Sequence, residues 1–377
     1  MGNDSVKTMD ETQPNTARRI AAGKVEWAEL APLLQRMRRT DGSLRLGPGR
    51  GLDAAVLEVG GRVLVTATDP VTFATVEPGT YAVVVNANDV AVLGARPRWF
   101  QVVCLLADRQ ENAEFLDAAM AQIETQLDQL GAVLIGGHSE VVAGLQAPML
   151  VGQMIGEALD EEVVSPAGGQ VGDAVLLAGG VGIEATALVA RELPARLRAA
   201  GLAEAEIAAA AAYLHEPGIS VVRPALTAAA TGAVTAMHDV TEGGVATAAL
   251  ELSEACGCGI ALEAEALPVT GLTEQVLDAV SINPLGAIGS GGLLLCCAPQ
   301  KTAEVCGAVQ LSGVDCAPVG RLVRGRNEKT LHQSGRVRPL PRFRVDEYVR
   351  VAGESFVASG ATAAPRQRGD GGGEVER

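Results

Sequence analysis

Apolar positions recur at helical or strand spacing through most of the chain. Trp27, Leu30, Leu34 and Met37 fall on one helical face, which predicts a short amphipathic helix over Val25 to Arg39, stopped by Thr40-Asp41-Gly42-Ser43. Val63 to Thr68 (VLVTAT) and Phe100 to Leu106 read as strands, as do Val133 to Ile135 and Met149 to Ile155, which flank a loop containing Gly136-Gly137-His138-Ser139. Leu116, Met120, Ile123, Leu127 and Leu130 mark a helix ended by Gly131. Tyr81 to Leu93 (YAVVVNANDVAVL) fits two elements: its length favours a buried helix and its valine content a strand. A second rhythm follows, with strands at Ala174–Leu177, Val234–Met237 and near Ile260, Leu293 and Pro318. Its helices are expected at Ile183–Arg191, Ala203–Leu214 and Val245–Ala255. Between the two rhythms, Ser165 to Gly172 (SPAGGQVG) is the best boundary. The divisions are therefore an N-terminal extension with one helix (1–44), a first domain (45–164), a second domain (165–340) and a C-terminal extension (341–377). The stretch Ala361–Arg377 reads as disordered and Met1–Lys24 as mobile.

The 377 residues suit two to three domains at about 150 residues each. With 48% hydrophobic residues the core is ample, and with only 3% aromatics it is aliphatic, which argues against a stacking platform for bases. Thirty Lys and Arg against 45 Asp and Glu give a net charge of −15, which argues against nucleic acid as a partner. A single nucleotide stays compatible, because a metal ion and backbone N–H groups can hold its phosphates. The longest uncharged run, Ala279–Gln300, contains Pro and Gly and suits a packed segment rather than a membrane span. No leader stands out and the seven cysteines lack paired zinc spacing, so we expect a cytoplasmic protein with reduced thiols.

Five segments set acidic or amide groups beside glycine turns. Gly47 to Val56 is a glycine-rich loop that ends in Asp53, so that bare backbone at Gly49 and Gly51 can approach an anion while Asp53 holds a cation. Thr66-Ala67-Thr68-Asp69 puts a carboxylate at the end of a buried strand, where Asp69 either binds a ligand or caps the turn before Pro70. Asn86, Asn88 and Asp89 interrupt an apolar run and need buried partners, protein or ligand. Gly136-Gly137-His138-Ser139-Glu140 is a candidate phosphate or metal loop. In His238-Asp239-Val240-Thr241-Glu242-Gly243-Gly244 a strand leads into a helix whose glycines leave N–H groups free for an anion.

In order and spacing these segments resemble the aminoimidazole ribonucleotide synthetase (PurM)-like superfamily, over about residues 45 to 325. The motifs stand as GRGLDAAV (49–56), TATD (66–69), NANDVAVLGARP (86–97), GGHS (136–139) and HDVTEGG (238–244). The last is most similar to the branch of the hydrogenase maturation protein HypE. The resemblance implies an α+β, two-domain PurM-like fold. The first domain's sheet would pair across a homodimer, ATP would lie near that interface, and a mixed α/β domain would follow. It implies Mg²⁺ held by Asp53, Asp69 and Asp89, with Asn86 in support, and His138 as a further metal candidate. Gly49, Gly51, Asn86, Asn88, Gly136, Gly137, Ser139, Gly243 and Gly244 would bind the nucleotide. Asp239, His238 and Glu242 would face the transferred group.

The implied activity is ATP- and Mg²⁺-dependent activation or phosphorylation of an oxygen on a small molecule or carrier peptide. Self-modification of a C-terminal Cys, as in the HypE reaction, is not expected, since the last cysteine is Cys316 and the sequence given ends Glu-Val-Glu-Arg. The family pattern is broken where Leu52 replaces the first of two carboxylates and His138 an aspartate. Those changes motivate an alternative, a non-catalytic nucleotide-binding scaffold that assembles with a maturation partner. A third reading is a transition-metal factor using His138, Glu140 and His238.

Overall fold

A computed structural model describes residues 24–25, 27–37, 41–72, 74, 76–159 and 163–358, with backbone alone described for the last five of these. The expected tail at 361–377 and nearly all of the expected mobile segment at 1–24 lie outside them. The first half contains α1 (Trp27–Leu34), β1 (Leu44–Leu46), β2 (Ala54–Val59), β3 (Arg62–Val71), α2 (Pro78–Ala91), β4 (Ala95–Ala107), α3 (Asn112–Leu130), β5 (Val133–Val142) and β6 (Met149–Ala158). Its six strands form one sheet in the order β1-β2-β3-β6-β4-β5, antiparallel except where β4 pairs with β5.

The Tyr81–Leu93 ambiguity resolves as helix. Pro78 sits in the first turn of α2, and thirteen of its fourteen residues are buried. A helix enclosed on nearly all sides needs apolar residues all round, so valine content misleads about its backbone. Two glycines of β6 let α2 lie close on the sheet: a Cβ at Gly152 would stand 2.5 Å from the Asn86 amide nitrogen, and one at Gly156 2.2 Å from Val90. The Gly136-Gly137 segment, expected as a loop, is instead the middle of β5. A Cβ on Gly137 would fall 1.9 Å from the Val102 carbonyl oxygen, so glycine there is required by strand pairing.

The second half contains β7 (Ala174–Ala178), α4 (Ile183–Glu192), α5 (Pro194–Ala199), α6 (Glu204–Ala211), α7 (Val222–Ala229), β8 (Val234–Asp239), α8 (Gly244–Ala255), β9 (Gly259–Glu263), α9 (Gly271–Ala279), β10 (Leu293–Cys297), α10 (Thr302–Leu311), β11 (Cys316–Val323), β12 (Lys329–Gln333), β13 (Arg336–Pro339) and α11 (Glu347–Ala358). Its sheet runs β13-β12-β9-β11-β7-β10-β8. The central strands are buried on both faces, which explains their unbroken apolar runs. Leu293 and Leu295 join one cluster with α7 and α10, while Leu294 and Cys296 join another with α8. The first of these clusters also takes in Ala87 of α2 and Phe100 and Met154 of the first sheet, so the two halves share one core.

Candidate active site

Four motif segments converge between the two sheets. Asp53 ends the glycine loop before β2, Asp69 lies on β3, Asp89 on α2, and His238 and Asp239 end β8. The glycine loop rests on α8. Gly51 has φ +68, and a Cβ there would approach the Glu251 carbonyl oxygen to 3.0 Å. Gly49 and Leu52 form a bridge, and Arg50 pairs with Glu254. This contact brings Asp53 of the first half against the His238 strand of the second.

The three polar residues of α2 have different fates. Asn86 accepts the Asp69 backbone N–H at 2.8 Å and donates to the carbonyls of Ala82 (2.9 Å) and Asp69 (3.3 Å), which fixes the end of β3. Asn88 accepts the N–H of Val221 at 2.8 Å and donates to the Ile219 carbonyl at 3.0 Å, linking α2 to the second half. Both amides are therefore satisfied by backbone. Asp89 is not: its Oδ2 is buried without a hydrogen-bond partner among the described residues. Burial, reinforced by Asp239, Asp69 and Asp53, holds its carboxyl well above the usual range, and it shares a hydrogen bond with Asp69. Burial, with Asp53, also raises Asp69.

Asp239 repeats the pattern. Its Oδ2 is buried and has no partner among the described residues, and burial pushes its pKa to about 7 against the opposing pull of His238. The His238 ring sits at 4% exposure. Its Nδ1 lies 2.7 Å from the Asp239 carbonyl oxygen, which can only accept, so Nδ1 carries the proton. Nε2 then points at Glu251 Oε2 (3.5 Å) and Asp53 Oδ2 (3.8 Å). Burial disfavours the charged ring, but Asp53, Glu251 and Asp239 outweigh it and raise its pKa. The cleft thus concentrates carboxylates that lack a full set of positive partners.

The N–H groups expected to be free at the start of α8 are engaged. Gly243 donates to Asp346 Oδ2 at 2.7 Å and Gly244 to the Thr241 carbonyl at 3.0 Å. Burial raises Asp346 to a pKa of about 6. Glu242 accepts the backbone N–H of Lys24 at 3.3 Å. Glu184, buried and raised to about 7 by that burial, accepts the Ser290 N–H. Lys24, Glu251, Glu184 and Asp346 escape motif reading. Glu251, between Leu250 and Leu252, reads as a solvent-facing helix position, and Lys24 lies in a stretch with no pattern.

The GGHS segment is elsewhere. His138 is exposed on β5 with Glu140 3.2 Å away, and among the described residues no hydrogen bond or ion pair joins it to the acidic cleft. Ser139 pairs across the ladder with Cys104. Gly137 does share a cavity of about 330 Å³ with Thr68, Gln101 and Gly152 on the open face of the sheet.

A two-domain chain with an acidic cleft where its sheets meet defines the class. The AIR synthase related protein N-terminal domain matches residues 51–158 and the C-terminal domain 170–333, more than half of the chain, which belongs to this family. Carbamoyl dehydratase HypE of Rhodobacter capsulatus is 27% identical over 287 residues, 72% of this chain and 78% of that protein. Selenide, water dikinase of Nitratidesulfovibrio vulgaris is 27% identical over 359 residues, 85% and 95% respectively. Both relatives bear the names of enzymes. Among solved structures, a HypE–HypF complex matches with TM-score 0.68 at 19% identity, covering 83% of this chain and 99% of that one. HypE in complex with ATP matches with 0.65 at 20%, covering 87% and 98%. These likenesses confirm the PurM-like two-domain fold. Among the described residues no helix is long and apolar enough to cross a membrane.

Proposed function

We propose that the protein is an ATP- and Mg²⁺-dependent enzyme that activates or phosphorylates an oxygen of a small molecule or carrier peptide. One observation carries this reading: carboxylates from both halves meet in a single cleft, and two of them, Asp89 and Asp239, bury an oxygen without a partner. Such oxygens are costly unless a cation or proton answers them. Their hardness fits Mg²⁺, which takes one or two carboxylates and leaves its other positions to water and phosphate oxygens, and the residues that would hold it are drawn from Asp53, Asp69 and Asp89. Bound there, the metal would neutralise phosphate charge, the main requirement of phosphoryl transfer.

The chain's own residues supply position. Asn86 fixes the backbone at Asp69, the Gly49–Gly51 loop offers bare backbone to the nucleotide, and Asp239, His238 and Glu242 face the cleft from the second half. Donors at Gly243 would reach a phosphate once Asp346 yields. Cys316 is buried beside Cys306, with 3.3 Å between their sulfurs, and is unsuited to carry a substrate group. A homodimer would cover β5, the edge strand that leaves Val133, Leu134, Ile135 and Val141 exposed. A partner protein supplying the carrier peptide fits the likeness to HypE.

The test is nucleotide hydrolysis with Mg²⁺ by Asp69→Asn and Asp89→Asn, each checked for native fold. Turnover should be abolished in both, and unchanged turnover in both refutes the reading. Leu52, in place of a second carboxylate, favours one other reading, a nucleotide-binding scaffold. Calorimetry showing ATP binding without turnover on any candidate substrate would select it.

A further inference from the structure

Lys24 enters the cleft from outside both sheets. Its ammonium stands 3.4 Å from Glu251 Oε1 and 3.6 Å from Asp53 Oδ1, and its backbone N–H is anchored on Glu242. Asp53 and Glu251 belong to opposite halves of the molecule, so a single ammonium bridges them. On the inner side the same carboxylates turn their other oxygens to His238 Nε2. Among the described residues no group of three or more His, Cys, Asp or Glu side chains forms a ready metal site. At this end of the cleft the positive charge is supplied by the chain.

We propose that Lys24 is a tethered cation that occupies the place of a divalent ion at the Asp53–Glu251 end of the cleft, so that metal ions bind there only in competition with it. The inference rests on the metal-binding part of the proposed function and makes Lys24 the residue that sets metal occupancy. Three features support it. The ammonium contacts are longer than the roughly 2.7–2.9 Å of a tight charge-assisted hydrogen bond. The lysine side chain is 52% exposed, so it can leave without unfolding anything around it. A divalent ion offers these two carboxylates twice the charge at shorter distance, which makes exchange favourable once the ion is abundant.

The experiment titrates Mn²⁺ into the full chain without nucleotide, following loss of the free-ion electron paramagnetic resonance signal. Wild type is compared with Lys24→Met, Lys24→Arg and Lys24→Met/Glu251→Gln, each checked for native fold by circular dichroism. Lys24→Met should bind Mn²⁺ about tenfold more tightly or take up one more ion per chain. Lys24→Arg should match wild type, and the double variant should lose the gain. A Lys24→Met curve that coincides with wild type, lies weaker, or shows no bound Mn²⁺ at millimolar concentration overturns the proposal. Because nucleotide is absent, unchanged ATP turnover in the aspartate variants, which would refute the proposed activity, would leave this result standing, and the reverse holds equally.

Discussion

The acidic cleft and the β5 edge carry motifs that look alike in sequence, glycines beside ionisable groups, yet their physical situations are opposite. In the cleft, Asp89 and Asp239 are at 3% and 2% exposure and lack partners for one oxygen each. On β5, His138 is exposed and already has Glu140 beside it, while the neighbouring glycine is explained by the closeness of the Val102 carbonyl. A glycine-acid motif therefore marks a ligand site only when burial leaves its polar atoms unanswered. Where backbone packing alone accounts for the glycine, the same letters describe strand pairing.

The sharpest way to break this contrast is to neutralise one residue on each side. Asp239→Asn should lower nucleotide turnover about 100-fold, in line with loss of a buried electrostatic group, whereas His138→Ala should change it less than about threefold. Steady-state phosphate release compares the two, and equal effects would erase the distinction.

Next in size is Asn86→Ala. It leaves the part-buried Asp69 N–H without its acceptor, at about 2 kcal/mol, and urea denaturation should report the loss together with a fall in turnover. A fully stable variant would show that Asn86 does not fix β3.

The cleft should also write its signature on stability against pH. Asp239 and Glu184 have folded pKa values of about 7 and Asp346 of about 6, all raised first by burial. The folded state therefore binds more protons than the unfolded chain from about pH 4 to about pH 7, and stability falls as pH rises through that window. The melting temperature without ligand should drop by several degrees between pH 5.5 and 8, Mg²⁺ should recover part of it at pH 8, and Asp239→Asn should flatten the slope. A melting temperature that climbs over this range contradicts the assignment.

The smallest effect on stability belongs to the edge. Ile135→Lys with Val141→Lys, both exposed, should cost the single chain no more than about 0.5 kcal/mol. Light scattering should nevertheless show the mass of one chain for this variant and of two for the unaltered protein. Retention of the larger mass would place the interface elsewhere.

Much of this was legible in the residues. The helix at Leu116–Leu130, the strands at 63–68 and 100–106, and the turn at Ser165–Gly172 follow from periodicity and turn formers because each has one buried side or none. Legibility failed where burial is complete or where glycine has two uses. The run from Tyr81 to Leu93 gives no period because it is enclosed nearly all round. Gly136-Gly137 suggests a loop because sequence does not register a carbonyl 1.9 Å from an absent Cβ. Four acidic positions in the cleft, Asp53, Asp69, Asp89 and Asp239, were readable from motif order. Lys24 and Glu251 were not, since a long-range ion pair leaves no local pattern.

Asn88 has one more consequence. Its amide reads only main-chain groups at Ile219 and Val221, which any residues but proline at the donor position would provide. The lock between the halves is thus indifferent to the side chains it grips, and the second half is free to drift in sequence without coming loose. Separating the halves would expose the apolar core that α2 shares with the second sheet as well as this amide. Diversification in this architecture is expected to spare α2 and to fall on the surfaces that surround the cleft.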